Sequence, residues 1–165
     1  MIINKVLDNE VDSDFSKYKT IYATMPFDHS HKRIQKLKAD DGMEFHFMLD
    51  EDVRVRGLNH GDIFFRDEKT KTQYAIKIAE ILCLVIKVKN SKDRASIGYV
   101  IGNRHAKVYF GDNVYELLTP YEKTMEDMLS QIKEVKVSKG HRVLLPEKSL
   151  MAILPNSQEP HSHDH

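Results

Sequence analysis

The stretch Ile81–Leu129, ILCLVIKVKNSKDRASIGYVIGNRHAKVYFGDNVYELLTPYEKTMEDML, decides the fold of the chain that carries it. It opens on the apolar run Ile81 to Ile86, the centre of a long strand expected from Tyr74 to Lys89. The period then changes. Ile97, Val100 and Ile101 make one apolar face of a helix, Ser91 or Asp93 can cap its start, and Gly102 can stop it. Ala106–Phe110 reads as a strand, Gly111–Asn113 as a turn and Val114–Leu118 as the return strand. A second helix is expected from Thr119, with Glu122 at capping-box spacing and Pro120 at the first helical position. Tyr121, Met125, Met128, Leu129 and Ile132 would form its buried stripe. The apolar segment His141–Pro146 closes the unit. The order is β-α-β-β-α-β, the ferredoxin-like split βαβ arrangement. Helices cover one face of such a sheet, so the open face should meet the first half of the chain or a second copy.

Upstream the pattern is β throughout. KRIQKLKADDGMEFHFML (Lys32–Leu49) is a hairpin signature, with apolar residues alternating on both sides of Asp40-Asp41-Gly42. Val53 and Val55 alternate with arginines, Gly57 and Gly61 punctuate, and Ile63–Phe65 is a short strand. No helix is expected before residue 90. The fold class is therefore α+β: an all-β domain over 1–73, a ferredoxin-like βαββαβ domain over 74–150, and a histidine-bearing tail over 151–165, disordered from Pro155.

Composition excludes several function classes. Lys+Arg and Asp+Glu both number 25 among 165 residues, so the formal net charge is zero. Neither nucleic acid nor an anionic membrane is an expected partner, because both draw on surplus positive charge. One cysteine, Cys83, precludes an internal disulfide. The longest apolar run is too short to span a bilayer, and MIINKVLDNEVD lacks the apolar core of a signal peptide. A cytoplasmic location is expected. There is no P-loop, GxSxG, HExxH, CxxC or dinucleotide fingerprint, so no catalytic residue is assigned and the chain is not expected to be an enzyme.

Histidine is the unusual count, at nine. His161, His163 and His165 alternate in the tail around Asp164. Neutral imidazole ligates nickel, zinc and copper, and a tail can gather several imidazoles around one ion and release it again. His105 follows the first helix of the second half. One imidazole holds a divalent ion poorly, but near a two-fold axis symmetry would supply a second His105. His29 and His31 have the spacing that places both rings on one face of a strand, so a second metal site is possible, but exposed loop polarity is the favoured explanation of the pair. His46 should face solvent, His60 and His141 look like turn residues, and Cys83 reads as a small buried hydrophobe.

Three features together resemble the UreE-type urease accessory proteins, a family of nickel metallochaperones. They are GNRH (Gly102–His105) followed by MEDML (Met125–Leu129), the N-terminal pattern KRIQKLKADDGMEFHFML…GLNHGDIFF, and the histidine-bearing tail. The resemblance implies a homodimer built on the ferredoxin-like domains. It implies Ni²⁺ held by His105 of both protomers, assisted by tail histidines His161, His163 and His165. It further implies delivery of nickel to apo-urease together with the other urease accessory proteins, including their GTPase, and an N-terminal domain that binds peptides or partners. Some members carry further metal-binding histidines just before the second helix; Leu117–Leu129 here has none. Zn²⁺ and Cu²⁺ are expected to bind in vitro as well, since copper outranks nickel at an imidazole site. Nickel affinity is expected to fall as pH drops through the ordinary histidine range near ~6.5. The competing reading is a peptide-binding assembly adaptor with incidental histidines.

Overall fold

A computed structural model describes residues 1–10 and 17–153. The chain divides into two units, one of residues 1–81 with 143–146, the other of residues 82–142 with 147 onward.

In the first unit, β1 (Ile2–Ile3), β5 (Glu44–Met48) and β4 (Ile34–Lys38) form one sheet in that order. The expected hairpin is β4–β5, in the register Ile34↔Met48 to Lys38↔Glu44, and Gly42 takes φ 90° in its turn. Alternation buries Leu37, Phe45 and Phe47 and leaves Lys36, Glu44 and His46 exposed. A second sheet runs β2 (Asp8–Asn9), β6 (Asp62–Asp67), β7 (Thr72–Ile78), β3 (Lys19–Met25), with β3 parallel to β7. Phe45 fastens the core through ring contacts of 5.0 Å to Phe64 and 4.9 Å to Tyr74.

Two expectations fail in this half. Glu51–Arg56 is a helix, α1, where only β structure was expected. Its ends explain it: Glu51 and Asp52 lie at the positive end, Arg54 and Arg56 at the negative end, and Gly57 leaves the helix with φ 80°. Only Val53 of the two valines is buried, so their alternation marks no strand. Second, Tyr74–Lys89 is not one strand. β7 ends at Ile78 and β8 (Ile81–Val88) begins a different sheet. Tyr74, Ile76 and Ile78 fill the first core, whereas Leu84, Ile86 and Val88 fill the second. The division therefore falls at Ile81, not at 73, and no glycine or proline marks it.

The second unit runs β8, α2 (Ser91–Gly102), β9 (Tyr109–Phe110), β10 (Glu116–Pro120), α3 (Lys123–Leu129), β11 (Val135–Arg142). The sheet order is β11-β8-β10-β9. The β-α-β-β-α-β succession matches the sequence expectation, but several boundaries differ, β9 beginning at Tyr109 rather than Ala106 and β10 at Glu116 rather than Val114. Thr119 and Pro120 end β10 instead of opening a helix, with Thr119 buried opposite Leu84. Pro120 is tolerated because β9 pairs only with Leu117 and Leu118, so no neighbour on that side needs its absent N–H. Glu122 becomes the cap residue of α3, which buries Met125 and Leu129, while Tyr121, Met128 and Ile132 pack at the margin. Finally, the last strand is β11, which includes His141; Val143 and Leu145, beyond it, pack against the first core. Among the described residues no helix is long and apolar enough to cross a membrane.

Candidate metal centre

His105 is placed by the two ends of α2. At the start, the Asn90 carboxamide oxygen accepts from the Asp93 N–H at 2.9 Å, and its NH₂ donates back to the Asp93 carboxylate at 2.9 Å. Asn90, not Ser91 or Asp93, is thus the cap. Ile97 and Ile101 anchor the helix in the second core. At the far end the chain keeps coiling beyond Gly102. Asn103 N–H donates to Tyr99 O at 2.8 Å, Arg104 to Ile101 O at 3.1 Å, and His105 to Gly102 O at 2.9 Å.

α2 ends at Gly102, as its sequence suggests, but Gly102 is not the left-handed residue of the turn. That conformation belongs to His105, at φ 58°. A side chain there costs about 1–2 kcal/mol relative to the right-handed region, which is why glycine or asparagine usually takes such positions. His105 is exposed, at the tip of the turn, before Val108 re-enters the core. Its imidazole is available to an ion or partner from solvent.

Among the described residues no group of three or more His, Cys, Asp or Glu could hold a metal ion. His161, His163 and His165 lie outside the described residues. The segment leading to them is placed, however. Leu150 N–H donates to Val108 O at 2.9 Å, and Ser149 bridges Tyr109. Leu150 therefore sits beside a residue three positions from His105. Eleven residues from there to His161 span at most roughly 36–40 Å, enough to return to the turn.

The remaining histidines do not form a site. His29 ends a 3₁₀ turn and accepts from the Lys32 ammonium at 2.6 Å; His31 Nδ1 donates to Arg54 O at 3.0 Å. Neither is on a strand, so the strand spacing expected of them does not apply. His60 Nδ1 accepts from Ile78 N–H at 3.3 Å, in the turn expected for it. His46 faces solvent from β5, and His141 lies exposed on β11 rather than in a turn. Cys83 is fully buried on β8, and burial pushes its thiol up to about 11, against a ligand role.

Sequence reasoning passed over the outer side of α2. Tyr99 is 73% exposed there, and the Arg94 guanidinium lies 4.5 Å from the Phe110 ring centre. The signal was present: Ala95, Tyr99 and Gly102 recur at helical spacing away from the Ile97–Ile101 face.

Comparison with known proteins bears on the same residues. The family model described as "UreE urease accessory protein, C-terminal domain" matches residues 82–165. The chain is similar to the urease accessory protein UreE of Helicobacter acinonychis (strain Sheeba), 33% identical over 132 residues, 80% of this chain and 76% of that one. It is similar to the protein of the same name from Helicobacter pylori (strain Shi470), 31% identical over the same shares. A third, from Staphylococcus epidermidis, is 32% identical over 101 residues, covering 61% of this chain and 63% of the relative.

Proposed function

Since the chain belongs to the UreE family of urease accessory proteins, we propose that it carries Ni²⁺ to apo-urease on His105 and the tail histidines. As a member of that family it serves urease maturation as an accessory protein and is not an enzyme. The finer reading is that its second unit, a ferredoxin-like domain, pairs with a second copy so that two His105 side chains face one ion. His161, His163 and His165 complete the coordination.

The observation that carries this is the conformation of His105. His105 is a non-glycine residue held left-handed and exposed, and among the described residues its imidazole has no hydrogen-bond partner, which favours a side chain kept for its chemistry. The placement of Leu150 beside Val108 supports the tail's part. Nickel is cargo here, so the site must release as well as bind. Imidazoles on an exposed turn and a tail suit exchange better than a closed, rigid ligand set. Nothing in such a ligand set prefers nickel over copper, so selectivity rests on metal supply and partner contacts.

The first unit, with its exposed β4–β5 face, is the module that meets partners: urease or the other accessory proteins, including the GTPase. The protein acts in the cytoplasm, with neither nucleic acid nor membrane as partner.

Activation of purified apo-urease at limiting nickel, in the presence of a competing chelator, tests the reading. The nickel-loaded chain should activate faster than nickel alone, and His105→Ala should lose most of that advantage. If His105→Ala delivers nickel as well as the parent, the proposal fails. If neither binds nickel, the assembly-adaptor reading replaces it.

A further inference from the structure

A shallow groove of about 300 Å³ runs along the outer side of α2. Arg94, Ala95, Gly98, Phe110, Leu117 and Leu150 line it. Its floor is apolar, and Leu150 reaches it by packing against α2 where there is no side chain: a Cβ on Gly98 would lie 3.4 Å from Leu150 Cδ2. Its one charge is Arg94, half-buried, with the guanidinium stacked on Phe110. Among the described residues no carboxylate or carbonyl accepts a hydrogen bond from that guanidinium, although stacking holds its donors in place. An arginine pinned at an apolar groove is suited to a carboxylate carried by an apolar segment.

The chain itself holds such a segment. Leu150 lines the groove, and three residues later, after Ile153, the described chain ends. The sequence continues as LPNSQEPHSHDH (Leu154–His165): Leu154 and Pro155 first, then Glu159 and Asp164, with no lysine or arginine. The segment starts next to the groove, its first two residues are apolar as the floor is, and its charge is opposite to Arg94. From Leu154 to Glu159 the chain spans at most roughly 18 Å.

We propose that residues 154–159 dock in this groove, with Leu154 and Pro155 over the Phe110–Leu150 floor and the Glu159 carboxylate on the Arg94 guanidinium. Docking would fix the root of the tail beside α2. It stands independently of the metal reading, since no histidine takes part.

The test is a comparison of backbone amide resonances of the metal-free chain at low salt. The full chain, a chain ending at Ile153, Glu159→Arg, and the exchanged pair Arg94→Glu with Glu159→Arg would be compared. Docking predicts that Ala95, Gly98 and Phe110 amides differ between full and shortened chains. Glu159→Arg should move them toward the shortened-chain positions, and the exchanged pair should bring them back. Coincident amides in full and shortened chains would overturn the proposal. So would shifts that ignore charge reversal, or shifts that track protein concentration instead of the tail, which would assign the groove to a second copy.

Discussion

His105 shows what one residue can reveal beyond its chemistry. GNRH suggested a helix stopped by Gly102 and a histidine presented after it. Both are as expected, since α2 ends at Gly102, but the left-handed residue of the turn is the histidine, at φ 58°. Sequence could not show this, because a glycine three residues earlier offers the cheaper solution on propensity alone. The consequence is testable. His105→Gly should raise stability by about 1 kcal/mol, by relief of the left-handed strain, and His105→Asn should be close to neutral. Both should lose the tightest nickel site. Urea denaturation read beside a nickel titration checks the pair; a His105→Gly chain less stable than the parent would show that the imidazole makes a structural contact. The tail histidines, by contrast, were legible as chemistry only, since ligand type is written in the residues and their placement is not.

At the scale of elements, what was legible tracked apolar period and what was missed lay at the ends. The β4–β5 hairpin and the order of the second unit were readable because alternation and turn residues agreed. α1 was missed because six residues hold too little periodicity, and their helix is set by end charges and Gly57. α3 was started early because Thr119 and Glu122 have capping-box spacing with Pro120 behind the cap, yet β10 pairing claims Thr119 and Pro120. The β7–β8 division was invisible because two cores bury adjacent apolar runs without a break in composition. Two glycines give opposite expectations here. At Gly111 a Cβ would lie 2.5 Å from the Glu116 side chain, itself only 4% exposed, so Gly111→Ala should cost about 1–3 kcal/mol. At Gly102 nothing lies within 4 Å, so Gly102→Ala should be neutral or stabilise by about 0.5–1 kcal/mol. Thermal melts of the two variants check both, and a clear stability loss at Gly102→Ala would contradict the open surroundings of that position.

For the whole molecule, the two units titrate through different groups. In the first, the Glu10 carboxylate accepting from the Tyr22 hydroxyl, together with burial, pushes that phenol up to about 12. Burial and the Asp41 carboxylate, which accepts from the Tyr74 hydroxyl at 2.7 Å, push Tyr74 up to about 12. In the second unit burial pushes Cys83 up to about 11. Each is a group whose folded value lies above its unfolded one, so its contribution is complete below the unfolded value and disappears as pH rises through the folded value. Stability should therefore begin to fall above about pH 9 through Cys83 and fall further between about 10 and 12 through the tyrosines. Tyr74→Phe should flatten the upper part of that slope in urea midpoints measured against pH. An unchanged slope would mean that the Tyr74 phenol ionises over the same pH range in the folded and unfolded chain.

The carrier account rests on His105 as a metal ligand, and a calorimetric titration with Ni²⁺ of the parent, His105→Ala and the chain ending at Ile153 tests it most directly. The account predicts that the parent binds far more tightly than millimolar. It predicts that His105→Ala loses the tightest site and alters the ratio of metal to dimer, and that the shortened chain binds more weakly while keeping a site. Identical isotherms for parent and His105→Ala, or no binding tighter than about millimolar by the parent, would contradict it.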